Sequence, residues 1–140
     1  MGRYLLDTNI LVFLVSGETH NISNEIKNIL DDFSNQLNTS VFAVSELIQL
    51  YRIGKVKTKK YKSEEEIIEA LEQEFYIKTL PFSFEHSKIL AKLKIADGHN
   101  DPFDHAIISH AIAENLTAVS SDRKFDFYIS QKLKFSFNKR

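Results

Sequence analysis

The chain alternates between two hydrophobic rhythms. RYLLD (3–7), QLNTSV (36–41), YIKTL (76–80) and LTAVSSD (116–122) are short stretches bounded by polar or turn residues and read as strands. KLKFSF (132–137) alternates strictly enough to predict an edge strand. Between them lie helical patterns. The apolar run NILVFLV (9–15) starts one helix, and NEIKNILDDF (24–33) repeats Ile26, Ile29, Leu30 and Phe33 at helical spacing. VFAVSELIQLYRIGK (41–55) predicts a second apolar helix that ends near Gly54. Ser63 with Glu66 forms a capping box that opens EEEIIEALEQEF. SFEHSKILAKLKIA (83–96) places Ile89, Leu90, Leu93 and Ala96 on one helical face, and a helix from Pro102 carries Phe103, Ile107 and Ala111 in register with Ile108 and Ile112 beside them. Strands alternating with helices imply an α/β chain, a central parallel sheet sandwiched by helices.

Composition narrows this further. With 140 residues, 43% of them hydrophobic and eleven Phe, the chain can fill one sizeable core, so a single globular domain over residues 1–140 is expected. The absence of cysteine excludes disulfides, Cys-ligated zinc and thiol catalysis. The longest apolar run near the N-terminus, Ile10 to Val15, is too short for a membrane span, so a cytoplasmic protein with no membrane contact is the expectation. A net charge of −1 leaves no overall basic field, so any nucleic-acid binding must use local patches.

The acids stand out by their neighbours. Asp7 is the only charge in YLLDTNILVFLV and falls where the first strand ends. Glu46 is the only charge in VFAVSELIQLY, a helix with no obvious solvent face. Asp104 heads an apolar helix, and Asp122 follows LTAV through two serines. A lone buried carboxylate is expensive unless a cation or hydrogen-bond donors meet it. In a doubly wound parallel sheet, ligand sites form beyond the carboxyl ends of the strands, near the point where strand order reverses. If the strands ending at Asp7 and Asp122 are neighbours, helices starting at that edge can bring Asp104 and Glu46 to the same place. Four crowded carboxylates repel unless a divalent ion joins them, and hard oxygen donors suit Mg²⁺ or Mn²⁺. Such a cluster best supports displacement at phosphorus, hence metal-dependent phosphodiester hydrolysis. For Asp101 and Asp104 a local explanation stands beside this one. Asp101 is a favoured N-cap, Pro102 suits the first helical position, and Asp104 complements the helix dipole.

Taken together, LLDTNILV, VSEL, DPFDHAIISHA and LTAVSSD resemble the PIN-domain nucleases, in particular the VapC-type ribonuclease toxins of bacterial toxin–antitoxin pairs, over residues 4 to 125. The resemblance implies a three-layer α/β/α sandwich and an acidic quartet at Asp7, Glu46, Asp104 and Asp122. Asp7 and Asp122 are then direct metal ligands, Asp104 ligates or positions the metal water, and Glu46 holds a second metal or acts as base. Asp101 aligns with a variable acid and reads mainly as the helix cap with a supporting role, while Thr8, Asn9 and Ser120 match polar positions that line or brace the site. Also implied are one or two Mg²⁺ or Mn²⁺ ions, an RNA substrate (tRNA or other structured or single-stranded RNA), a cognate antitoxin and a homodimer. Two positions depart from the family's usual pattern. His105 stands where Arg is common, and Ser120, which keeps the hydroxyl, stands where Thr is common.

The remaining polar features divide between duty and none. His105 reads as a partly exposed helix residue without a role, His110 with Glu114 as a surface pair at i, i+4, and His20, His86 and His99 lack metal-ligand spacing and are assigned nothing. YRIGKVKTKKYK (51–62) gathers Arg52, Lys55, Lys57, Lys59, Lys60 and Lys62 with two tyrosines. It reads either as an RNA-contacting arm, with rings to stack on bases, or as a solvated loop. No P-loop, dinucleotide glycine pattern, nucleophile elbow or HExxH occurs. The non-enzymatic rival is a catalytically silent PIN-like scaffold that binds RNA or protein. DNA cleavage also stays open, since nothing in the sequence reads a 2′-OH.

Overall fold

The computed structural model describes residues 1–140. Five short strands, β1 (Arg3–Leu6), β2 (Gln36–Ser40), β3 (Ile77–Leu80), β4 (Thr117–Ser120) and β5 (Lys134–Phe137), form one sheet in the order β3-β2-β1-β4-β5, and every neighbouring pair is parallel. Six helices accompany them: α1 (Thr8–Val15), α2 (Asn24–Asp31), α3 (Val41–Arg52), α4 (Glu64–Gln73), α5 (Phe84–Lys92) and α6 (Pro102–Glu114). A 3-10 segment, Arg123–Gln131, links β4 to the edge strand β5. The connections from β1 to β3 travel one way across the sheet and those from β3 to β5 the other way. Right-handed crossovers therefore distribute the helices over both faces, the three-layer α/β/α arrangement expected from the sequence. None of the helices is long and apolar enough to cross a membrane.

The core runs through the sheet centre. Leu5 and Leu6 of β1 and Ala118 and Val119 of β4 are fully buried, with Ile10 and Leu11 of α1, Leu47 of α3, Ile67 of α4 and Ile107 of α6 packed against them. The switch in strand order falls between β1 and β4, whose register pairs Leu6 with Val119, so the residues just beyond them emerge side by side.

Helix starts follow their caps. Asp7, Ser23, Ser40, Ser63 and Asp101 each accept a backbone N–H of the helix they precede. Gly54, at φ 78°, takes the left-handed turn that closes α3.

Four expectations about the elements need correcting. The helix over 24–33 stops at Asp31, which leaves Phe33 outside it and 91% exposed. The helix over 83–96 stops at Lys92, because the Gln131 side chain pairs with both the N–H and the C=O of Lys94 (2.9 Å each) and Tyr128 Oη accepts the Ala96 N–H (3.1 Å). Tertiary hydrogen bonds there replace the next helical turn. Helix α3 does have a solvent face, a stripe of Val41, Ser45, Gln49 and Arg52. His110 is not on the surface: residues 106–111 are all buried, since α6 packs between α3 and α5 and meets β4. Its Nδ1 lies 3.0 Å from Ser40 Oγ and its ring packs against His86, centroids 4.2 Å apart and planes tilted by 35°, while Glu114 faces His86 at 3.8 Å instead.

Candidate active site

Strand ends and helix starts deliver the acids to one cleft. Asp7 follows β1 and caps α1, accepting the Thr8 N–H at 2.8 Å on Oδ1. Its other oxygen accepts the Ser120 hydroxyl at 2.6 Å and the Asn9 amide at 3.1 Å, so the last residue of β4 and the second residue of α1 clamp it. Asn9 also donates to Ser120 Oγ at 3.1 Å and receives the Ser121 N–H at 3.1 Å, which ties the two strand ends together. Glu46, midway along α3, accepts the Thr8 hydroxyl at 2.5 Å. Asp122 accepts the Lys124 N–H at 2.9 Å, and its own N–H donates to Ser120 Oγ at 3.0 Å.

The two aspartates of DPFD have different surroundings. Asp101 caps α6, accepting the Phe103 N–H at 2.9 Å. Asp104 makes no capping bond and instead meets His99 Nε2 at 3.0 Å through Oδ2. A cleft of about 300 Å³ is lined by Asp7, Glu46, Asp101, Asp104 and Asp122, with Thr8, Asn9 and Arg140 also reaching it. Of the sequence-predicted site residues, all four quartet acids, Asp101, Thr8 and Asn9 thus meet at one place. Ser120 lies directly beneath, fully buried.

Burial first, and crowding after it, shift the protonation of these groups. Asp7 is 2% exposed, and burial, followed by repulsion from Asp104 and Glu46, pushes its carboxyl up to about 8 despite the Ser120 and Thr8 hydrogen bonds. Asp104 is pushed up to about 7, first by burial and then by Asp101, Asp122 and Glu46, with only Lys124 opposing. Burial also raises Glu46, against its bond from Thr8. The donor set is short of positive charge, and a divalent cation is the species that would relieve it. Glu46 Oε2, Asp104 Oδ1 and Asp122 Oδ2 accept no hydrogen bond from the protein, and Asp7 Oδ1, which lines the cleft, accepts only the Thr8 N–H and keeps its second lone pair.

Histidines carry what the sequence reading passed over. His99 is 1% exposed, and one of its ring nitrogens lies within 4.8 Å of carboxylate oxygens of Asp104 and Asp122. His105 has a role too, its Nε2 lying 2.6 Å from the carbonyl of His99. Regular spacing had no signal to offer, because His99 sits in an irregular loop; its position two residues ahead of DPFD was the only clue.

The basic segment lies elsewhere. Lys57, Lys59 and Lys60 border a separate cleft with Ser16 and Gly17 just beyond the far end of α1, an eight-residue helix and so about 12 Å long, from Asp7. Arg52 pairs with Glu64 at 3.1 Å, Lys60 pairs with Glu74, and Lys55 is exposed. Tyr61 is buried with its hydroxyl on Glu74, and Tyr51 is partly buried, so neither ring stands out as a stacking platform. The cation lining the acidic cleft is Arg140, whose guanidinium lies 5.2 Å from the Phe13 ring centre, and Lys124 lies near enough to act on Asp104.

The family model for the PIN domain matches residues 4–128. No curated protein matches the sequence. Among solved structures, VapBC2 of Rickettsia felis bound to a DNA fragment from its promoter is similar at 23% identity and a TM-score of 0.69, covering 98% of this chain and 99% of that one. VapBC-1 of nontypeable Haemophilus influenzae is similar at 21% and 0.63 (96% and 97% covered), and FitAcB of Neisseria gonorrhoeae at 23% and 0.61 (96% of each). At such identities the likeness is one of fold.

Proposed function

Because the chain belongs to the PIN-domain family, we propose that it is a metal-dependent endoribonuclease that hydrolyses phosphodiester bonds in RNA and acts as the toxin of a toxin–antitoxin pair. One observation carries this reading: four carboxylates from separate segments line one cleft at the sheet's switch point, two of them pushed far above the usual carboxylate range.

The all-oxygen donor set fits Mg²⁺ or Mn²⁺. When bound, one or two such ions supply Lewis acidity, neutralising charge on the phosphate and leaving oxygen and acidifying water. Asp7 and Asp122 would hold the ion, and Asp104 would ligate it or orient the attacking water. Glu46, with its Oε2 free, would either hold a second ion or serve as the base for that water. Ser120 and Asn9 keep Asp7 aimed, Thr8 does the same for Glu46, and Asp101 secures the start of α6 that presents Asp104. The cleft's acidity makes nearby cations necessary for a polyanion: Arg140 lines the cleft, Lys124 acts on Asp104, and Lys55, Lys57, Lys59 and Lys60 lie beyond α1.

An antitoxin and a second copy of the chain are the expected protein partners. The VapBC architecture of the similar structures supports the first. A groove of about 480 Å³ lined by Leu14, Ile22, Leu30, Phe33 and Tyr76, where Phe33 is 91% exposed, is an apolar surface open to either partner.

The test is cleavage of end-labelled total tRNA and of unstructured RNA and DNA with Mg²⁺ or Mn²⁺, beside EDTA and Asp104→Asn. Discrete RNA products lost under both conditions are expected. Undiminished cleavage by Asp104→Asn refutes the site, and no cleavage of any substrate moves the chain to the silent scaffold.

A further inference from the structure

His99 is buried beside Asp104, yet nothing in the acidic quartet accounts for it. Its Nδ1 lies 2.7 Å from the hydroxyl of Tyr128, and its Nε2 lies 3.0 Å from Asp104 Oδ2. Tyr128 is fully buried in the 3-10 segment after Asp122, and its hydroxyl oxygen already accepts the Ala96 N–H at 3.1 Å. The tyrosine proton needs an acceptor, since a buried hydroxyl is rarely left without one, and His99 Nδ1 is the acceptor within reach. A ring that accepts at Nδ1 carries its hydrogen on Nε2, where Asp104 accepts it. The His99 carbonyl is held in turn by His105 at 2.6 Å.

Resting on the metal-dependent reading above, we propose that Tyr128 and His99 form a positioning relay. Tyr128 fixes the His99 tautomer, and His99 holds Oδ2 of Asp104, leaving Oδ1 as the oxygen that would be free to meet a cation. His99 is thus a positioning residue and not a metal ligand, although its ring lies close to Asp104 and Asp122. Partners of this kind that orient a ligating carboxylate typically change metal affinity 10- to 100-fold when removed.

The experiment has a metal-free arm and a metal arm. In the first, nitrogen-15 spectra of the intact apo protein read the His99 tautomer, with Tyr128→Phe as the perturbation. That variant keeps the buried ring and so keeps the packing. Expected is a single tautomer, Nδ1 bare and Nε2 protonated, lost or mixed in Tyr128→Phe. An Nδ1-protonated ring in the wild type overturns the relay.

In the second arm, Mn²⁺ titration should show affinity about 10-fold or more weaker in both Tyr128→Phe and His99→Ala. Pulsed electron paramagnetic resonance of the Mn²⁺ complex should show no directly coupled histidine nitrogen. Unchanged affinity in both variants, or a coupled nitrogen lost in His99→Ala, overturns the proposal. A wild-type protein that binds no Mn²⁺ defeats the metal-dependent reading and with it the metal-presenting role of His99, while the apo tautomer separately decides whether the hydrogen-bond relay exists.

Discussion

Replacing Asp104 by Asn should make the metal-free protein more stable while destroying the proposed activity. Asn is isosteric, its carbonyl can accept the His99 Nε2 hydrogen that Oδ2 now accepts, and its amide then points to the side occupied by the other acids. What it removes is a charge whose carboxyl rises from 3.8 to about 7 on folding. A group raised in this way contributes its full stability below its unfolded value, and that contribution is lost as pH climbs toward the folded value. At about 1.4 kcal/mol per pH unit, ionising Asp104 costs the apo fold up to about 4 kcal/mol above pH 7. The side chain is 13% exposed, and water at its free oxygen lowers this to about 2 to 4 kcal/mol. For a chain of this length that is roughly 6 to 12 °C in Tm. The Asn variant should therefore melt above wild type at pH 8 without metal, and the gap should shrink to about 1 kcal/mol at pH 5, where much of the wild-type carboxyl is protonated in the folded state. Saturating Mn²⁺ should close the gap, since an ion at a hundred times its Kd stabilises the wild type by about 2.7 kcal/mol and the variant far less. Calorimetry at the two pH values with and without Mn²⁺ measures all of this. A metal-free variant less stable than wild type at pH 8 would refute the claim that burial, with charge repulsion added, makes ionised Asp104 costly to the apo fold.

Three further perturbations follow from the same geometry. Ser120→Ala removes the 2.6 Å donor to Asp7 and the acceptor of the Asp122 N–H, so Mn²⁺ affinity in titration should fall about 10-fold, and unchanged affinity would show that Asp7 needs no clamp. Reversing charge at Lys57, Lys59 and Lys60 should weaken RNA binding and flatten its salt dependence by up to about 2 to 3 in slope, whereas unchanged binding returns the segment to a solvated loop. Burial, helped by His86, pushes the His110 ring down to about 4. A base lowered on folding is stabilising above its unfolded value of 6.5, and that stability is lost as pH falls toward 4. A proton NMR titration should find His110 neutral at pH 5.5, and a midpoint near 6.5 would contradict its buried placement.

Much of this protein is decided locally. The lone acids Asp7, Glu46, Asp104 and Asp122 could be picked out because a charge amid apolar residues is costly, and the α/β alternation is legible because strand and helix periods differ. Caps such as Ser63 and Asp101 act within three residues, so their sequence signatures translated directly into structure. What the chain does across long separations was not legible. Gln131 cuts α5 short by taking both polar groups of Lys94, and Tyr128 meets His99 from 29 residues away. His110 follows the same rule. Its i, i+4 spacing to Glu114 suggests a surface pair only if that side of α6 faces water, and Ser40 and His86, brought in from β2 and α5, occupy it instead. Periodicity reports which residues share a face, but only the packing of several elements says what that face meets. The acids are therefore marked by the sequence, while the relay that aims one of them exists only once the 3-10 segment has folded over the loop before α6.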